Sequence, residues 1–131
     1  MTSAQAAPHP FRVAVDNRDL DAVMALMDPD VRLHSPVAFR PFVGQEQVRE
    51  VLGNVLQVLE DFHYVDELAG EGTHALVFRA HIGSTQVEGL DHLRHGASGL
   101  VTDLTVMVRP LSAAIALAEQ MSARVGHLAK P

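Results

Sequence analysis

"VEGLDHLRHGASGLVTDLTVMVR", from Val87 to Arg109, is the stretch on which the fold turns. Two alternating runs flank "GASG", whose glycines suit a chain reversal, so the stretch reads as a β-hairpin. On the second arm Leu104, Val106 and Val108 share one face, and Asp103, Thr105, Met107 and Arg109 share the other. On the first arm the same alternation puts Asp91 with Leu93 on the apolar face and leaves Leu90 and His92 outside. Pairing through the turn then sets Asp91 beside Leu104 and makes His92 and Asp103 a polar cross-strand pair. The carboxylate on the buried face needs a reason to be there. Lost hydration raises its pKa and favours the neutral acid.

Outward from this hairpin the strand pattern continues. "LVFRAHI" turns Leu76, Phe78, Ala80 and Ile82 one way and Val77, Arg79 and His81 the other, and "GSTQ" can reverse the chain. Everything from His63 to Arg109 therefore reads as strand. Before it, Val48, Val51, Leu52, Val55, Leu56, Leu59 and Phe62 follow helical spacing across 45–62. Helical character near Phe11 continues through Ala14 and Val15. Asp19 caps a second short helix that turns Leu20, Val23, Met24 and Met27 inward, and "DPD" stops it. "VRLHS" is a strand with Val31, Leu33 and Ser35 on one face. "SPVAFRPFVG" is a proline-bearing loop carrying Phe39 and Phe42.

The closing "RPLSAAIALAEQMSARVGHL" is an amphipathic helix with Leu111, Ile115, Ala118, Met121 and Val125 inward and Pro110 in its first turn. This order is an α+β pattern with helices on one face of a mostly antiparallel sheet. Residues 1–10 read as a flexible N-terminus and 11–131 as one domain.

Composition narrows the function classes. The chain has 131 residues, 47% hydrophobic and 20% charged, an ordinary globular mixture. Its net charge of −6 without a basic run argues against nucleic-acid binding. The chain contains no cysteine, so disulfides, thiolate metal sites and cysteine nucleophiles are excluded. "MTSAQAAPHP" lacks the features of a signal peptide, and no apolar run is long enough to span a membrane. A soluble cytoplasmic protein is the expectation.

"NRDLDAVMALMDPDVRLHSP", "FVGQEQVREVL" and "GLDHLRHGASGLVTDLTVMV" together resemble the nuclear transport factor 2-like superfamily, in the style of its ketosteroid isomerase-like and SnoaL-like members. The resemblance covers roughly residues 11–109. It implies a cone-shaped domain in which a curved sheet wraps around helices and encloses an apolar pocket, with dimers made through the convex face. It also implies positions for chemistry. The isomerases carry a general-base aspartate before a proline at the end of the first strand, where "HSP" has Ser35. Their oxyanion-hole tyrosine lies on the first helix, where this chain has Phe11. Their second oxyanion donor is a protonated aspartic acid, and that position matches Asp91. The Asp-Arg-Asp arrangement of epoxide hydrolases on this scaffold finds residue types in Arg79, Asp91 and Asp103, but alternation turns only Asp91 inward.

The candidate site therefore centres on Asp91, either as an acid that donates to a developing oxyanion or as a carboxyl that only bonds a buried amide. Phe11, Ser35, Phe39, Phe42, Tyr64, Phe78, Leu104 and Val106 are the candidate lining. Tyr64, which shares a face with Phe62 in "FHYVDEL", reads first as amphipathic packing with a wet tip, and its hydroxyl replaces the missing donor only if that face is the interior. His34, His81 and His92 fall on the outward face, His9 and His127 lie near the ends, and no HExxH spacing is present, so no metal or cofactor is expected. The expected function is binding of a small hydrophobic carbonyl-containing ligand, with isomerase, lyase or cyclase chemistry at the adjacent carbon. The alternative is a non-catalytic ligand-binding or dimerisation module. Val77, Leu90 and Met107 among polar neighbours suggest a homodimer through the convex face.

Overall fold

A computed structural model describes residues 7–128; residues 1–6, most of the stretch expected to be flexible, lie outside the described residues. Two short helices come first. In α1 (Pro10–Asp16) proline occupies the opening turn, where its missing N–H costs nothing, and the ring of His9 caps it. Arg18 takes a positive φ of 54° to turn the chain into α2 (Leu20–Ala25), which Asp19 caps by accepting from the Ala22 N–H at 3.1 Å.

The next strand corrects two expectations. β1 (Met27–His34) already contains Met27 and runs straight through "DPD". It pairs in parallel with β6 (Val101–Arg109), and a register shift between Met27 and Arg32 takes up the acidic, proline-bearing segment. The neighbour on its other side, β2 (Phe42–Val43), pairs only with Arg32 and Leu33, so Pro29 interrupts no ladder there.

α3 (Gln45–Val58) ends four residues before the helical spacing does. Leu59 is already extended, and Asp61 at a φ of 52° bends the start of β3 (Glu60–Gly70), where the ladder register shifts between Glu60 and His63. Phe62 thus owes its burial to a strand shared with Tyr64, not to the helix. β4 (Thr73–Ile82) and β5 (Thr85–His95) complete a curved, open six-stranded sheet of order β2-β1-β6-β5-β4-β3. All neighbours are antiparallel except β1 and β6.

α4 (Leu111–Val125) packs with α3 on one face of this sheet. Its inward stripe is Ala113, Leu117, Met121 and Val125, spaced four apart. Leu111 and Ile115 are exposed, contrary to the sequence expectation. Pro110 stands at the N-cap instead of inside the first turn.

Strand facing follows the alternation. Leu76, Phe78, Leu93 and Leu104 are buried, whereas Arg79 on the opposite face is exposed. Register differs from the expectation by two residues. Asp91 pairs with Val106, His92 with Thr105 and Arg94 with Asp103. Leu100 joins the turn, with Gly96 N–H donating to its carbonyl, and a register shift at Arg94/His95 adds the second residue. An even shift preserves facing, so the inward set survives while every partner changes. Asp103 instead meets His34 of β1, at 2.9 Å.

Candidate functional site

Between the concave face and the helices lies a narrow cavity of about 60 Å³. The sheet supplies Leu33, Phe78, Leu104, Val106 and Val108, α3 supplies Val51, Leu52 and Val55, and α1 closes over it with Phe11 and Val15. Aromatic contacts build one wall. Phe62 stacks on Phe78, with centroids 4.6 Å apart, and meets Tyr64 edge-on at 5.0 Å. Phe78 lies flat because its cross-strand partner is Gly89, where a Cβ would fall 2.5 Å from Phe78 Cε2.

Two ionisable side chains reach this apolar space, Tyr64 and Asp91. They come from β3 and β5, on either side of β4, and the Tyr64 hydroxyl donates to Asp91 Oδ2 at 2.7 Å. Asp91 is the one buried charged side chain among the described residues. Burial pushes its pKa up to about 7, with the Tyr64 hydrogen bond pulling the other way. Tyr64 is pushed well above the ordinary phenol value by burial and then by the Asp91 charge, so it stays a donor. A carboxyl poised near neutrality populates both its acid and its base form, the condition for moving a proton at neutral pH.

The other sequence candidates divide. Phe11, Ser35, Tyr64, Phe78, Leu104 and Val106 line the cavity together with Asp91. Ser35 is not free there, since its hydroxyl accepts from the Val37 and Ala38 N–H groups and shapes the loop. Phe42 is buried opposite Leu33 but outside the lining. Phe39 is fully exposed, on a shallow outer groove beside Met107, so it forms no cavity wall.

Arg12 was not foreseen. Its guanidinium lies 6.0 Å from the Tyr64 ring centroid and pairs with Glu67 at 3.1 Å. No sequence signal marks it, because its position depends on how α1 docks. Among the described residues no group of three His, Cys, Asp or Glu side chains is arranged to hold a metal ion. Nor is any helix among them long and apolar enough to cross a membrane.

A curved open sheet closed by helices over an apolar cavity with one buried acid defines a nuclear transport factor 2-like protein. The chain belongs to the SnoaL-like domain family, whose model matches residues 10–109. It is 35% identical to a steroid delta-isomerase from Pseudomonas aeruginosa, with a TM-score of 0.84 over 89% of this chain and 87% of that one. An uncharacterised protein with a cystatin-like fold from Silicibacter pomeroyi is 31% identical, with a TM-score of 0.84 over 89% of this chain and 83% of that one. A de novo designed protein with a curved β-sheet shares the fold alone, at 14% identity and a TM-score of 0.69, covering 90% of this chain and 99% of that one. No curated protein matches the sequence.

Proposed function

We propose that the protein binds a small, mostly hydrophobic molecule through one carbonyl or enolic oxygen set against Tyr64 and Asp91, and moves a proton at the carbon beside it. The reaction class is isomerase-, lyase- or cyclase-like. The observation that carries this reading is the buried Tyr64–Asp91 pair in a lining otherwise almost wholly apolar. That the 35% identical relative from Pseudomonas aeruginosa is a steroid delta-isomerase supports the class. Asp91 itself serves as the proton carrier here, because Ser35 occupies the position of the usual base. Tyr64 donates its one proton to Asp91 while that carboxyl is ionised, and turns it to the developing oxyanion once Asp91 has taken the substrate proton.

The test compares naphthol with naphthalene, which share shape and differ by one hydroxyl. Naphthol should bind more tightly, and Asp91→Asn or Tyr64→Phe should erase most of the difference while leaving naphthalene unaffected. Equal binding of both probes by the unaltered protein would overturn the reading. A non-catalytic ligand-binding module is the second reading. The engagement of Ser35 in its own loop favours it, since that leaves one carboxyl to do all the proton work. A panel of unsaturated ketones that bind at this pair yet exchange no α-proton with deuterated solvent would select the second reading.

The proposal also includes a cytoplasmic homodimer. Exposed Met107 with half-buried Val77 and Leu90 on the convex face supports the dimer. Light scattering that finds monomer alone at micromolar concentration would remove that part.

A further inference from the structure

Three histidines and a glutamate meet near the β3–β4 turn, where the His95 N–H donates to the Gly72 carbonyl, outside the Tyr64–Asp91 site. His9 Nε2 lies 3.0 Å from His95 Nε2, and its ring sits 4.6 Å from that of His74. His74 Nε2 donates to Glu67 Oε2 at 2.6 Å, the same oxygen that accepts from the His9 backbone N–H at 3.0 Å. Glu67 Oε1 takes Arg12. The four residues come from the N-cap of α1 and from β3, β4 and β5.

Hydrogen-bond roles fix the protonation of this cluster. His9 Nδ1 accepts from the Phe11 N–H at 2.9 Å and so carries no proton. The proton of neutral His9 is then on Nε2, which donates to a bare Nε2 of His95. Protonation of His9 sets an N–H against the Phe11 N–H and destroys the helix cap. Protonation of His95 at Nε2 sets two donors face to face at 3.0 Å. Either event breaks a contact that ties α1 to the sheet. Glu67 is already held by Arg12, His74 and the His9 N–H, so it has little left to neutralise added charge. A charge placed on His9 faces Arg12 and the His74 and His95 rings on one side, and the Glu67 carboxylate, with Asp16 on the same groove, on the other.

What the cluster holds down is the cover of the cavity. α1 contributes Phe11 and Val15 to the lining. At about 60 Å³ the narrow space suits no more than a few water molecules, so a ring-sized occupant needs part of the lining to move. We propose that His9 and His95, with His74 and Glu67, form an acid-released clasp that makes α1 a lid over the cavity. The inference holds whether or not Asp91 is catalytic. Burial, and then the neighbouring His74 and His95, hold the His9 pKa down at about 4, while the opened lid restores an ordinary imidazole. The sign follows: a depressed folded pKa favours the closed form above about 6.5, and closure weakens as pH falls from there toward 4.

Amide hydrogen exchange, corrected for the intrinsic effect of pH, tests this without any ligand. Between neutral pH and mildly acidic pH the protection of the α1 amides should fall about tenfold, while β4 and β5 amides keep theirs. His9→Ser keeps a capping oxygen and removes the ring. Combined with His95→Gln, it should leave α1 protection nearly independent of pH, at a lower level. Unchanged α1 protection in the unaltered protein on acidification would overturn the proposal. So would the same loss in the double variant. Should the double variant fail to fold, nitrogen NMR of the unaltered protein still decides: a His9 ring that titrates as an ordinary imidazole, or carries its neutral proton on Nδ1, excludes the clasp.

Discussion

Tyr64 and Asp91 meet across an intervening strand. Their carriers, β3 and β5, flank β4, and the 2.7 Å bond passes over the concave surface between Phe78 and Leu76, their respective partners on β4. Curvature makes the reach possible, because side chains on the concave face converge. On a flat sheet, residues two strands apart would stand roughly 10 Å from each other.

The first consequence concerns stability against pH. Asp91 has a folded pKa of about 7 against an ordinary value of 3.8. A raised acid disfavours the folded state as pH climbs from the unfolded value toward the folded one, and the penalty is complete above about 7. Asp91→Asn keeps the shape and the acceptor for Tyr64 but removes the titration. Urea unfolding should show the variant gaining on the unaltered protein, by about 2–3 kcal/mol at most, between pH 5 and pH 8. A variant that is less stable at pH 8, with the deficit shrinking at pH 5, would mean that Asp91 is an ionised structural carboxylate.

Tyr64→Phe acts on the same carboxyl in the opposite direction. The hydroxyl is the group that lowers the Asp91 pKa, so its loss should move that pKa further above 7. Carbon NMR of the aspartate carboxyls would follow the titration directly. A hydrogen bond to a charged acceptor contributes about 1.5–3 kcal/mol and a neutral one about 0.5–1.5 kcal/mol, so the variant should lose more stability at pH 8 than at pH 5. An Asp91 titration that stays in place would show that the bond does not set it.

How much of this was legible in the sequence depends on parity. Alternation along "GLDHLRH" and "LVFRAHI" located Asp91 on the inside, because facing survives any even error in register. The partners of Asp91 were not legible, since they depend on a turn that recruits Leu100 and on a register shift beside it. Tyr64 was readable as sharing a face with Phe62, but its bond to Asp91 needed the curvature. The histidine cluster left a signal that went unused. His74 has the parity of Leu76, and His95 that of Leu93, which places both on the concave side. His9 could not be added without knowing where α1 docks.

Packing beneath the aromatic wall gives the last prediction. Phe78 is 1% exposed and lies over Gly89. A Cβ at position 89 would sit 2.5 Å from Phe78 Cε2, nearer still to Cζ, and 2.7 Å from the Met107 carbonyl oxygen. The ring can give way only by pushing into Phe62, which stacks on it, and through Phe62 into Tyr64. Gly89→Ala should therefore cost about 1–3 kcal/mol or more, the usual penalty for overpacking a filled core. Phe78→Leu alone leaves space and costs stability as well. Combined, the two changes should cost less than their sum, because the smaller side chain vacates the position that the new methyl needs. The Met107 carbonyl is backbone and cannot step aside, so the rescue should be incomplete. Urea unfolding of the two single variants and the double variant completes the cycle. Strict additivity would show that Phe78 is not what position 89 accommodates.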